Sequence, residues 1–275
     1  MPLVAPAMIL TAIFFFLPMI LSLVWSFTKY NGMVPPKWIG GANYTYLTQD
    51  PAFHTALWNT AIFAVVTMAI GPALGLGTAL LLNRGVRAQG LFRSIFFLPV
   101  TLSLVVVGTM WKVLLADNGF INQCLALVGI HGPSWLEDPS TALLSVSLAS
   151  VWAGFGFETV IFLAALQGIP RDLYEAAALD GAGRYQSFRA VTMPALRPTL
   201  VFVYVVGIIG ALQVYDQMYV MTRGGPLKST TTIVYYLMER FQRFDLGTAS
   251  AAAYVLVVVL ALLSALQFKL SRRDV

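Results

Sequence analysis

Residues 169–198 read IPRDLYEAAALDGAGRYQSFRAVTMPALRP and lie between two long apolar runs. Pro170 and Asp172 suit a helix start, because proline presets φ and an acid is favoured near the positive end of the helix dipole. Arg171 to Asp180 are good helix formers, and Gly181 and Gly183 then break the helix. A second helical piece is predicted over 184–192, ending before Pro194. Leu173, Ala176, Ala177 and Leu179 offer a compact apolar surface flanked by charges. Two readings of these residue types stand side by side. One is a rigid knob, whose small alanines let a partner protein approach closely while Glu175 and Arg171 register the contact. The other is a helical connector lying on a membrane surface with no partner.

The surrounding chain requires a membrane. Hydrophobic residues make up 58% of the 275 residues and charged residues 11%, with mean hydropathy +0.77. A soluble domain carries about 25% charged residues, so this chain has too little polar surface to coat a water-soluble globule. Six runs are long and apolar enough to cross, at about 20 residues per bilayer core: 4–27, 56–82, 94–111, 142–168, 199–222 and 248–268. Pro18, Pro72 and Pro99 fall inside them, which membrane helices tolerate when neighbours satisfy the backbone. The first run is longer than a signal-peptide core and lacks a cleavage site of small residues, so it reads as a retained span. It also lacks a basic flank, which predicts a natural N-terminus that extends further or was trimmed. The single cysteine, Cys124, excludes an intramolecular disulfide and a cysteine-only metal site; His54 and His131 read as ordinary loop histidines. No metal site is expected.

Basic residues orient the spans. The connections 83–93 and 169–198 and the tail 269–275 hold Arg84, Arg87, Arg93, Arg171, Arg184, Arg189, Arg197, Lys269, Arg272 and Arg273, ten of the 17 lysines and arginines. The remaining connections, 28–55, 112–141 and 223–247, hold the other seven in nearly twice the length. The first set is therefore predicted to be cytoplasmic, with both termini inside. The basic balance, scattered in these loops, points to lipid rather than nucleic acid. Residues 230–244 read as a short amphipathic helix, with Ile233, Leu237, Phe241 and Phe244 at helical spacing. The chain is predicted to be one transmembrane domain, 1–275, with no soluble domain or repeat.

Polar groups inside the bilayer are expensive and mark solute paths or helix contacts. Glu158 falls near the middle of the fourth run and Asp216 toward the outer end of the fifth. Gln213 precedes Asp216 by three positions on the same expected helix face, and Tyr215 and Tyr219 share a neighbouring face. Asn59 lies near the outer end of the second run. Carboxylate, amide and phenol groups are what a polyhydroxy solute needs. Each of these residues equally serves helix packing.

The inner segment also carries a resemblance. Glu175-Ala176-Ala177, Gly181 six positions after the glutamate, and Val191-Thr192-Met193-Pro194 resemble the EAA loop of bacterial ABC importer permeases, with valine and methionine where that pattern has isoleucine and leucine. Ala164 to Pro170, Leu179 to Ala182, Tyr215 to Thr222 and Gly224-Gly225-Pro226 are similar to the carbohydrate branch, in its maltose-F-like or glycerol-phosphate-A-like half. The likeness runs over essentially the whole chain, without the extra N-terminal spans and large outer domain of the maltose case. It implies an all-α integral membrane protein with the six-helix type I importer permease fold. It also implies a cytoplasmic coupling helix between spans four and five, over 171–183. Arg171, Leu173, Tyr174, Glu175, Ala176, Ala177, Asp180 and Gly181 are then the residues that meet an ATPase.

The implied partners are a second homologous permease, two copies of an ABC ATPase, an extracytoplasmic solute-binding protein and the lipid of a bacterial inner membrane. ATP and Mg would sit on the ATPase, leaving this chain without a cofactor and without enzymatic activity of its own. No G-x-x-x-x-G-K-[ST] loop occurs in the sequence. The implied cargo is a sugar or sugar-like solute of the disaccharide, amino sugar or glycerol-phosphate class. The competing reading is a stand-alone secondary carrier or channel, which favours inverted repeats, broken helices and coupling-ion carboxylates. A membrane enzyme would need a buried constellation of histidines or aspartates that the sequence lacks.

Overall fold

The computed structural model describes residues 5–84 and 89–271. Val4, Arg87, Arg272, Arg273 and the last two residues of the tail therefore lie outside the described residues. Five helices there are long and apolar enough to cross a membrane: α1 (Pro6–Ser26), α3 (Pro51–Leu82), α7 (Ala142–Gln167), α9 (Arg184–Leu212) and α12, which spans Leu246–Ser271 and crosses over Leu246–Gln267. A sixth candidate is a broken pair, α4 (Gln89–Phe97) and α5 (Leu104–Leu114), joined by a 3-10 turn at Leu98–Thr101 and bent by 99°. Between the spans lie a two-stranded antiparallel hairpin, β1 (Thr28–Lys29) with β2 (Lys37–Trp38), and the short helices α2 (Ala42–Gln49), α6 (Phe120–Leu127), α8 (Arg171–Leu179), α10 (Asp216–Met221) and α11 (Ile233–Gln242).

Three expectations about the spans need correction. The third run does not cross as one rod. Pro99 has no N–H to continue the helix, and Leu102 and Ser103 turn extended before Ser103 caps α5. The fifth run is shifted. Its helix begins at Arg184, passes Pro194 and Pro198, and ends at Leu212 rather than Thr222. Pro194 is tolerated because a π turn over Phe188–Thr192 absorbs one extra residue just before it, with the Met193 N–H bonded to the Phe188 carbonyl five positions back. The same device precedes Pro18, where the Leu17 N–H bonds to the Ala12 carbonyl. The second run starts earlier, at Pro51, where Asp50 caps α3 by accepting the Ala52 N–H at 2.9 Å. His54 thus lies in a helix and not a loop, with Nε2 2.9 Å from the Thr48 carbonyl.

The amphipathic reading of 230–244 also changes face. Ile233 and Tyr236 are buried, whereas Phe241 and Phe244 are exposed. The physical reason is a polar anchor. The Tyr236 hydroxyl donates to Asp50 at 2.6 Å, and Arg240 reaches the same carboxylate at 2.6 Å and the Tyr46 hydroxyl at 2.8 Å. The Arg240 guanidinium lies 5.1 Å over the Tyr46 ring and 5.0 Å over the Tyr236 ring. α11 is thereby fixed to the start of α3 through α2.

The core is stacked in three apolar clusters along the bundle. One joins Leu47, Phe53, Leu212, Ile233, Tyr236 and Leu256 near α11. A middle one joins Phe63, Leu115, Val146, Met218 and Met221. A third, beside α8, joins Leu82, Phe162, Leu163, Leu166, Leu196 and Val203. α3 and α7 form the central pair, and the approach is close because Gly71 and Gly75 on α3 face Glu158 on α7. A Cβ on Gly75 would come 2.8 Å from the Glu158 Cβ. Small residues four apart are the membrane device for bringing two backbones together. α1 stands apart, its central window unburied, and touches α12, where the Tyr254 hydroxyl donates to the Met19 carbonyl.

Candidate functional site

Residues 169–198 form the short helix, glycine turn and second helix that their sequence predicted. α8 ends in a Schellman cap: the Ala182 N–H bonds to the Ala177 carbonyl at 2.9 Å, and the Gly181 N–H to the Ala178 carbonyl at 3.0 Å. Gly181 takes φ 78°, a conformation that strains any residue with a Cβ. Gly183 then opens the next helix, its N–H held by the Gln186 side chain at 2.7 Å. One side chain turns inward: Tyr174 packs beside the third cluster, and its hydroxyl meets the Thr192 hydroxyl at 2.9 Å. The other face is open. Arg171, Leu173, Glu175, Ala176 and Asp180 are exposed, and Leu179 is 90% exposed. Ala177 is half-buried.

The second feature is a cavity of about 420 Å³ between α3, α7, α9 and the broken third span. Four of the six polar residues singled out from the sequence line it: Glu158, Gln213, Tyr215 and Asp216. They meet by a route the sequence did not predict. Gln213 and Asp216 do not share a helix face, because α9 ends at Leu212 and α10 starts at Asp216. The unwound Gln213–Tyr215 link instead turns toward the cavity. Glu158 reaches in from α7, and its Oε2 is buried with no hydrogen-bond partner among the described residues. Gly71 leaves room for that oxygen; a Cβ there would lie 3.0 Å from it.

Two candidates sit elsewhere. Tyr219 is exposed and stacks on Tyr215 with ring centroids 5.6 Å apart. Asn59 is buried and clasps the loop after α10, donating to the Lys228 carbonyl at 2.9 Å and the Thr231 carbonyl at 3.0 Å. That loop carries Gly224-Gly225-Pro226. Thr230, Thr231 and Thr232 hold it by bonds to the carbonyls of Gly225, Gly224 and Val214 at 2.8, 3.0 and 3.0 Å. Gly224 has φ 78°, and a Cβ there would meet the Tyr235 ring at 2.7 Å. Ser150 and Gly154 on α7 and Gly207 and Gly210 on α9 complete the cavity wall. The sequence reading missed these small residues, although Gly71/Gly75 and Ser150/Gly154 are both legible as pairs four apart.

The family description "Binding-protein-dependent transport system inner membrane component" matches residues 71–273. The chain is 38% identical to the lactose transport system permease protein LacF of Rhizobium radiobacter, over 98% of this chain and 92% of that one. It is 30% identical to the trehalose/maltose transport system permease protein MalF of Thermococcus litoralis, over 98% and 92%. Its fold is similar to a chain in the crystal structure of a bacterial ABC transporter involved in importing the acidic polysaccharide alginate. There the TM-score is 0.88 with 26% identity, covering 99% of this chain and 94% of that one. With the family description matching most of the chain and these relatives covered nearly end to end, the chain belongs to the family of binding-protein-dependent transport system inner membrane components.

Proposed function

We propose that this chain forms half of the translocation path for a sugar or sugar-like solute in an ATP-driven importer, with α8 as the coupling helix. The observation that carries the reading is the pairing of a largely apolar cavity that gathers Glu158, Gln213, Tyr215 and Asp216 with an exposed, capped knob. Relatives whose names specify lactose and trehalose/maltose transport support the solute class. A second homologous permease would supply the other half of the path. Two ATPase copies would bind ATP and Mg and move α8 from the cytoplasmic side. An extracytoplasmic binding protein would deliver the solute to the end that carries α11 and the Gly224–Pro226 loop.

In this mechanism the ATPases close on ATP and push on α8. The push reaches the bundle through Tyr174 and through α7, which follows directly into the knob across Gly168. The cavity opens outward, takes solute, and turns inward again on hydrolysis. The bent third span, the break at Gln213–Tyr215 and the Glu158 carboxylate are features that a stand-alone carrier would also show, since broken helices and ion-coupling carboxylates are common there. One experiment separates the two. The complete complex and the purified chain alone are placed in liposomes with lactose, maltose or trehalose. ATP-dependent uptake by the complex, with none through the chain alone, is expected. Equal flux through the chain without ATP would overturn the importer reading.

A further inference from the structure

The cavity's chemistry selects by charge. Among the described residues that line it, Glu158 and Asp216 are acidic, and none is lysine, arginine or histidine. The Tyr215 hydroxyl and the Gln213 and Gln217 amides line it as neutral donors, whereas two further hydroxyls are already spent as donors: Thr67 bonds to the Phe63 carbonyl at 2.8 Å and Ser150 to the Val146 carbonyl at 2.9 Å. Each is left with acceptor lone pairs only. Glu158 Oε2 adds a buried oxygen with no hydrogen-bond partner among the described residues. A solute hydroxyl or ammonium can satisfy such groups. A carboxylate, phosphate or sulfonate brings only more acceptors and a charge, and a low-dielectric wall strengthens the repulsion.

We infer that this half of the path is a charge filter that passes neutral and ammonium-bearing sugars and rejects sugar acids and sugar phosphates, with Glu158 as its main determinant. The inference rests on the cavity being the solute path, and it removes the glycerol-phosphate class from the expected cargo.

The test needs no identified solute. In the complete complex with Cys124→Ser, a thiol is introduced by Ser150→Cys, or by Gly154→Cys, where a Cβ meets nothing within 4 Å. Complexes that co-purify and keep basal ATP turnover are reacted with methanethiosulfonates carrying a trimethylammonium, a methyl or a sulfonate group. Rates are divided by those for a free thiol in solution. The cationic reagent is expected to exceed the anionic one by about tenfold or more, and Glu158→Gln to cut that ratio severalfold. A ratio near one, or a ratio that Glu158→Gln leaves unchanged, overturns the filter while the path stands. A thiol that stays unreactive toward all three reagents, with and without ATP, at both positions, overturns the path itself.

Discussion

Tyr174 on α8 and Thr192 at the foot of α9 join hydroxyls at 2.9 Å across 18 residues of chain. The knob is therefore tied to the span that follows it as well as to the one before. Substitutions on its outer face should break coupling without touching solute preference. Ala177→Trp is expected to separate the ATPase or leave ATP hydrolysis running without uptake. Gly181→Val should do the same while straining the cap by about 1 kcal/mol or more. Co-purification, ATP turnover and uptake of the whole complex decide it; normal values for both variants would return α8 to a plain connector.

Glu158→Ala and Gln213→Ala should lower solute-stimulated ATP turnover more than basal turnover. One lost hydrogen bond to the solute is worth about 0.5–1.5 kcal/mol, or roughly two- to thirteenfold. If assembly, basal and stimulated activity fall together, these side chains hold helices and not solute.

Gly75 gives a stability prediction. Its missing Cβ is what lets α3 lie against Glu158 and the Thr159 backbone, which a methyl group would approach to 2.8 and 3.2 Å. Gly75→Ala should cost about 1–3 kcal/mol by forcing the pair apart, seen as a lower melting temperature in detergent. An unchanged melting temperature would mean the pair relaxes freely.

Acid should loosen α11. Burial would raise the Asp50 carboxyl, but hydrogen bonds from Tyr236 and the Ala52 N–H, with the charge and hydrogen bond of Arg240, outweigh it and hold it below its ordinary 3.8. A lowered carboxylate stabilises fully above 3.8 and loses that contribution as pH falls through its folded value. Asp50→Asn keeps the helix cap and removes the charge, and should cost about 1–3 kcal/mol at neutral pH. The gap in melting temperature between the two proteins should close below pH 3.8. A gap that persists there would take the ion pair out of the account.

Orientation is open to a direct check. A cysteine at Ser271 in a Cys124→Ser background should resist an impermeant thiol reagent added outside intact cells and react after permeabilisation. Labelling from outside would invert the bundle.

Much of this was legible because a bilayer integrates over some 20 residues, so single errors do not erase a span. What failed were edges set by one residue. Pro194 reads as a stop, but the π turn before it is a property of backbone hydrogen bonding that no residue announces. The break at Gln213–Tyr215 falls in a mostly apolar and aromatic run with no glycine or proline to mark it, so Gln213 and Asp216 reach one cavity by unwinding rather than by helical phase. Asp50 and Tyr236 stand 186 residues apart, and nothing local to either marks the other. Gly181 was readable because its demand is local: a short helix, a stop and a positive φ.

The bend in the third span has a mechanical consequence. The Phe96 carbonyl lies so close to Gly156 that a Cβ there would be 1.9 Å away. With no side chain between them, the elbow and α7 meet backbone to backbone. Glu158 sits two residues beyond that contact, on a helix that runs to Gln167 and is joined to α8 through Gly168, Ile169 and Pro170. If α8 couples as proposed, a thrust delivered there would reach the carboxylate and the elbow together, as one stroke of a single lever.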